Sequence, residues 1–191
     1  MKKKIEFIEI IEPKNIITGD KNAPITITEF GDYESEACAK ANEVVKQLLE
    51  TYPGKVNFVF RHFPLLKFHQ KAHKAAEAAI GAAQENKFWE MHNELFARRH
   101  NLGVISLKIH AREAGVTNKK FLDNLINSTY GIYVQDDLKE GIKRGVTAIP
   151  AFFINDKLFE QEPSFKHLNA YIQGLLKNLS NNINTDSKAA A

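Results

Sequence analysis

The chain has 191 residues, of which 43% are hydrophobic, and this length suits one packed domain and is short for two. Its 26 basic and 23 acidic residues are interspersed, so the net charge of +3 does not form the basic stripe that nucleic-acid binding needs. No apolar run approaches the roughly 18 residues of a membrane span. We therefore expect one domain, with no nucleic-acid partner and no membrane span.

Residues 1–22 are predicted to be an N-terminal extension. The opening MKKKIEFIEIIEP starts with positive charge as a secretory signal does, but Glu6, Glu9 and Glu12 interrupt its apolar part and no small-residue cleavage site follows. The sequence as written therefore predicts a cytoplasmic protein, and one whose signal had been removed would be periplasmic or exported. The single cysteine cannot form an internal disulfide and does not name a compartment.

The first half of the chain predicts a strand, a helix and a second strand. Residues 25–30 alternate apolar and polar side chains after a turn-like segment at 19–24, which indicates a strand. Residues 36–51 have the apolar spacing of a helix, and Pro53-Gly54 ends it. Residues 55–61 then alternate as a second strand.

The second half is mostly helical. Small apolar side chains recur with helical spacing at Ala72, Ala75, Ala76, Ala79, Ile80 and Ala83. Further helices are predicted at residues 87–98, 106–114, 118–128 and 132–144. Strand character returns at 151–154, Asn155-Asp156 suits a turn into residues 157–160, and Ser164 is a candidate cap for a last helix that ends at 176.

This order predicts an α/β thioredoxin fold with a helical insertion at about residues 69–144. The domain is predicted to span residues 23–177. A polar tail follows at residues 178–191, and its closing Lys-Ala-Ala-Ala is typical of an added end.

Four segments carry a family resemblance: APITITEFGDYESEAC, VNFVFRHFPL, KFWEMHNELF and GVTAIPAFFIN. In this order, from residue 23 to about 176, they resemble the DsbA-like thiol:disulfide oxidoreductases, particularly their short bacterial branch. The resemblance implies an enzyme that acts on thiol or disulfide proteins without a cofactor. It leaves open whether the direction is oxidation, reduction or isomerisation. The chain departs from the family at the C-x-x-C motif, which here is Ser35-Glu36-Ala37-Cys38.

The resemblance assigns the attacking position to Ser35 and the resolving position to Cys38. A cysteine at a helix N-terminus becomes a thiolate and attacks a disulfide, and a second cysteine one turn later resolves the mixed disulfide. A serine hydroxyl has no disulfide chemistry, so the chain as written should not complete the cycle. Ser35 is either an engineered replacement or a natural loss. Without the resemblance, Ser35 is simply a helix N-cap and Cys38 a small buried apolar residue.

Pro150 is the second candidate site. The family has a cis proline opposite the active-site helix, and the residue before it, here Ile149, offers its backbone to an extended substrate strand. We therefore expect a cis bond between Ile149 and Pro150, although few X-Pro bonds are cis in general. Pro64 is interpreted as a strand terminator.

No metal site is predicted. His69 and His73 stand four residues apart, as some zinc ligands do, but no third ligand follows at a suitable spacing, and a solvated helix face is the expected setting.

Two other functions stay open. Kappa-class glutathione transferases and related isomerases share this fold and use a serine at the first cysteine position, which would make glutathione a partner, although their motif usually lacks the later cysteine. A noncatalytic module could instead bind extended peptides along the edge at Ile149 and Pro150.

Overall fold

The computed structural model describes the backbone of residues 10–189 and the side chains of residues 10–181. Residues 1–9, which the prediction of no secretory signal concerns, lie outside the described residues. The last two residues of the predicted tail lie outside them as well. Among the described residues, no helix is both long enough and apolar enough to cross a membrane.

A five-stranded sheet forms the centre of the fold, with the strand order β1-β3-β2-β4-β5. The strands are β1 (Ile17–Gly19), β2 (Ile25–Gly31), β3 (Val56–His62), β4 (Ala151–Ile154) and β5 (Lys157–Leu158). β2 and β3 run parallel, whereas β1, β4 and β5 pair antiparallel with their neighbours. Every residue of β3 is buried, because helices cover both faces of the sheet.

Within residues 10–189, seven α-helices surround the sheet. They are α1 (Glu36–Thr51), α2 (Ala72–Ala83), α3 (Phe88–Ala97), α4 (Val104–Glu113), α5 (Phe121–Ile126), α6 (Gly131–Lys143) and α7 (Phe165–Ala189). α2 to α6 all lie between β3 and β4 in the chain, so the predicted α/β thioredoxin-like fold with a helical insertion is confirmed.

The alanine stripe of α2 explains how the insertion packs. Ten of the helix's residues are buried, because small side chains let neighbouring helices approach closely. A Cβ atom added at Gly81 would lie 3.1 Å from the rings of both Phe121 and Tyr130. A side chain here would require these rings to shift by a few tenths of an ångström, so Gly81 allows α2 to approach α5 and the start of α6 closely.

β1 and α7 show the largest differences from the sequence prediction, and α5 and β5 are shorter than the predicted 118–128 and 157–160. β1 lies within the predicted extension of residues 1–22, where three residues are too few to show an alternating pattern. It pairs with β3 through Ile17 and Val59, so the sheet begins before residue 23. α7 continues past residue 176 to Ala189, because no glycine or proline interrupts the segment from 177 to 189.

Candidate functional site

The turn between β2 and α1 holds Ser35 in the geometry of a helix N-cap. Its backbone is extended, and its N–H donates to the carbonyl oxygen of Asp32 at 3.1 Å. The Oγ atom of Ser35 accepts a hydrogen bond from the backbone N–H of Cys38 at 3.2 Å. The N-cap prediction is therefore confirmed, and α1 begins at Glu36 as the spacing predicted.

Cys38 lies one turn into α1 and is fully buried in the main core. Burial raises the pKa of its thiol well above the ordinary cysteine value, and the nearby Glu29 carboxylate raises it further. Hydrogen bonds with Ser35 and with the backbone of Asp32 oppose these effects. The thiol of the chain as written is thus a buried neutral group.

Glu29 is a site residue that the sequence analysis did not identify. It lies on the central strand β2, where its strand neighbours are Phe60 and Phe152, and it is only 1% exposed. Neither of its carboxylate oxygens has a hydrogen-bond partner. Burial in these apolar surroundings raises the pKa of Glu29 to about 8. A group that can change protonation near neutral pH therefore lies close enough to Cys38 to influence it.

Asp32 connects the active-site turn to the start of the insertion. One oxygen of its buried carboxylate accepts the backbone N–H of Glu34 at 2.8 Å. The other accepts the N–H of Leu65 at 2.8 Å and lies 2.8 Å from Nδ1 of His69. Glu34 adds a contact of its own, because its carboxylate accepts the N–H of Lys71 at 2.7 Å. Residues 65–71 are thus held against the turn that presents Ser35.

The predicted solvated face for His69 and His73 is wrong. His69 precedes α2 and bonds Asp32, whereas His73 lies in the first turn of α2 with its Nδ1 atom 3.2 Å from the buried carboxylate of Glu77. Both rings are about three-quarters buried, because the insertion folds over the strand ends. The two histidines therefore have separate acidic partners and do not converge on one point.

A network of buried polar side chains joins the active-site turn to the core. The hydroxyl of Tyr33 lies 3.0 Å from Nδ1 of His92, and Nε2 of His92 lies 3.1 Å from the amide oxygen of Asn42 on α1. Burial holds the pKa of His92 well below its ordinary value, with the charges of His62 and Lys46 acting in the same direction. The neutral ring therefore connects α3 to both the active-site turn and α1.

The second predicted site lies beside the first turn of α1. The bond between Ile149 and Pro150 is cis, as predicted. Pro150 and Ala37 line the same groove of about 340 Å³, with Pro163 on its wall. Ile149 packs against the core cluster that contains Cys38. Pro150 thus shares a groove with the first turn of α1, in which Cys38 stands.

Comparisons with known proteins agree with this fold. A family model described as Thioredoxin matches residues 12–174. Among solved structures, oxidised BdbD of Bacillus subtilis is 24% identical, with a TM-score of 0.78 over 87% of this chain and 93% of that chain. Alpha-DsbA1 of Wolbachia pipientis is 23% identical, with a TM-score of 0.74 over 87% of this chain and 93% of that chain.

Curated relatives are longer proteins. The Na(+)/H(+) antiporter NhaA 3 of Salinispora tropica is 31% identical over 154 residues, which are 80% of this chain but 24% of that protein. The chain thus spans about a quarter of the length of the curated relatives it matches. The family model covers most of the residues described above, and the fold is that of the DsbA-like structures. On this basis the chain belongs to the thioredoxin family.

Proposed function

We propose that this chain is a DsbA-like thiol:disulfide oxidoreductase in which residue 35 is the attacking position and Cys38 the resolving one. The observation that carries the proposal is the hydrogen bond from the N–H of Cys38 to Oγ of Ser35 at the start of α1. A sulfur in place of that oxygen would meet the same N–H and the positive end of the helix, which favour a thiolate.

The exchange has two steps when a thiol occupies position 35. Its thiolate attacks one sulfur of a substrate disulfide, forming a mixed disulfide and releasing the other substrate sulfur as a thiolate. The Cys38 sulfur then attacks the sulfur at position 35, which releases the substrate thiolate and leaves an intramolecular disulfide. The same two steps in reverse return the protein from its disulfide form to its dithiol form.

Glu29 is the proposed proton acceptor for the second step. Cys38 must lose its proton before it can attack, and burial disfavours its thiolate. Glu29 is buried near enough to affect the pKa of Cys38, and its own pKa of about 8 leaves a fraction of the carboxyl ionised near neutral pH, which is the form that can accept the proton. The proton passes from the Cys38 thiol to Glu29, and it returns when the disulfide is reduced.

With Ser35 in place the chain cannot carry out this exchange. An oxygen at the attacking position forms no disulfide, and Cys38 alone is buried and protonated. The chain as written is therefore inactive as an oxidoreductase, whether Ser35 is engineered or native.

Extended segments of thiol or disulfide proteins are the proposed substrates. The groove beside Pro150 is lined mainly by apolar atoms of α1 on one side and by Pro150 and Pro163 on the other. Its place next to Ala37 would bring a bound segment alongside position 35. The backbone of Ile149 is the proposed partner for the main chain of that segment. This binding does not depend on a thiol, so it is expected to persist in the chain as written.

An insulin reduction assay tests the proposal. S35C supplied with dithiothreitol should precipitate insulin chains faster than the reductant alone, and the wild-type chain and S35A should not. S35C/C38A, which lacks the resolving thiol, should be much slower than S35C. Equal rates for S35C and the wild type would contradict the assignment of position 35.

A further inference from the structure

We propose that Glu94, His110 and Glu113 form a divalent metal site that joins α3 to α4, and that Zn²⁺ suits it. One ligand atom from each of these three side chains lies within 4.8 Å of the other two. His110 and Glu113 stand one turn apart at the end of α4, and Glu94 faces them from α3. The site belongs to the helical insertion and involves none of the residues that the proposed disulfide exchange uses.

The orientation of the His110 ring supports a ligand at this point. The side chain is 5% exposed, and its Nε2 atom lies 2.9 Å from the carbonyl oxygen of Asn101. Because a carbonyl oxygen only accepts, Nε2 carries the hydrogen, and Nδ1 of the neutral ring is left with its lone pair. A backbone carbonyl that fixes the tautomer in this way is a common outer partner of metal-bound histidines.

Three acceptors converge with no hydrogen-bond donor between them. Nδ1 of His110 and Oε2 of Glu94 are both buried and without a hydrogen-bond partner. The nearest carboxylate oxygen of Glu113 lies 3.8 Å from Nδ1 of His110, beyond hydrogen-bond distance. Arg98 forms an ion pair with Oε2 of Glu94 at 3.6 Å, which is too long for a hydrogen bond. Buried acceptors are normally satisfied, so this arrangement calls for a cation.

The donor set identifies the class of metal. One imidazole nitrogen and two carboxylate oxygens suit Zn²⁺, with a water molecule in the fourth position. Ligands at zinc distances are about 3.4 Å apart in a tetrahedral site, so the carboxylates must move inward by about 1 Å. Glu113 can do so through its side-chain torsions, since 42% of its side chain is exposed.

The expected consequence is a cross-link between the last turn of α3 and the last turns of α4. α4 follows α3 after residues 98–103, the two helices are in contact, and each buries a leucine, Leu95 and Leu107, in the main core. A bound ion would add a fixed point between them near the end of α4. Because the ion would bind the folded chain and not the unfolded one, it should stabilise the protein.

Isothermal titration calorimetry with Zn²⁺ on chelator-treated protein tests this proposal. The wild-type chain should bind one Zn²⁺ per molecule, and its thermal midpoint should rise on addition of zinc. H110Q and E113Q should each weaken binding by more than about tenfold, because even the loss of an outer partner costs that much. H167Q is the matched control. The ring of the partly exposed His167 also lies 3.1 Å from a backbone carbonyl oxygen, but His167 is not one of the three proposed ligands.

Several outcomes would overturn the proposal. A wild-type chain that takes up no stoichiometric zinc would show that these three side chains do not form a zinc site. Binding that H110Q leaves unchanged would mean that zinc binds elsewhere. If H110Q fails to fold, as circular dichroism would reveal, E113Q and E94Q decide the question, because neither residue is fully buried. Unchanged affinity in both would also overturn the site.

Discussion

The buried carboxyl of Glu29 should make the stability of this protein depend on pH, and one substitution should remove the effect. Burial raises the pKa of Glu29 from 4.5 to about 8. Between these values the unfolded chain has an ionised carboxylate, whereas the folded chain keeps the proton. The folded state therefore binds one proton more, and the free energy of unfolding falls as pH rises through this window.

The size of the effect follows from the width of the window. Each pH unit between 4.5 and about 8 lowers the free energy of unfolding by about 1.4 kcal/mol. From pH 5 to pH 7.5 the loss is about 3 kcal/mol. E29Q has the same shape and no ionisable group, so the two proteins should be similarly stable at pH 5. At pH 7.5 the E29Q protein should be the more stable by about 3 kcal/mol.

Urea unfolding of both proteins at several pH values between 5 and 7.5 measures this difference. Other buried groups cancel in the comparison, including His62, whose pKa burial lowers to about 3 in both proteins. E43Q is the control for a Glu-to-Gln change as such, because Glu43 is an exposed carboxylate that pairs with Lys46 at 2.8 Å. A difference between E29Q and wild type that stays constant within about 0.5 kcal/mol across this range would refute the reasoning.

Three further predictions follow from burial and hydrogen bonding. Cys38 should react with a bulky maleimide at least about tenfold more slowly in the native protein than in urea, and equal rates would place it at the surface. D32A should lower the free energy of unfolding by about 3 kcal/mol, because the N–H groups of Glu34 and Leu65 and the ring of His69 lose their acceptor. A loss below about 1 kcal/mol in urea unfolding would contradict these contacts. The buried Arg61 pairs with the buried Asp137 at 2.6 Å and with the partly exposed Glu140 at 2.7 Å. D137A should cost about 3 kcal/mol, because it leaves Arg61 with Glu140 alone and removes the acceptor of the His62 N–H, whereas E140Q should cost less than about 1 kcal/mol. Equal costs in urea would argue against this arrangement.

Local patterns account for the elements that the sequence predicts well. The bounds of α1 match the prediction, because an N-cap serine precedes the apolar periodicity and a Pro-Gly pair follows it. The turn at Asn155 and Asp156 is also as expected, and both residues have positive φ. In contrast, β1 is held by pairing with β3, which is distant in sequence, so no local pattern reveals it.

The candidate site is only partly readable from the sequence. Ser35, Cys38, Ile149 and Pro150 stand in recognisable motifs, but the partners of Asp32 lie 33 and 37 residues away and depend on the folded insertion. The sequence does carry a signal for Glu29. It follows Ile25 and Ile27 at every second position of β2, so it lies on the same buried face of the strand. An acidic residue in the core-facing phase of a strand indicates a buried carboxyl, and this signal was missed.

The ligands proposed for zinc show the same limit. His110 and Glu113 are three residues apart, which is a common spacing on any helix, and Glu94 reaches them only because α3 packs against α4. The decisive features, an unpartnered Nδ1 and a bonded Nε2, exist only in the folded chain.

The most direct test of the central claim is mass spectrometry of S35C after mild oxidation. If position 35 and Cys38 form one redox site, the oxidised protein should be two hydrogens lighter than the reduced one, with both sulfurs in a single cross-linked peptide. S35C/C38A should show no such intramolecular loss. An S35C protein that keeps two free thiols, or that forms only intermolecular disulfides, would contradict the claim that these two residues are the halves of one active site.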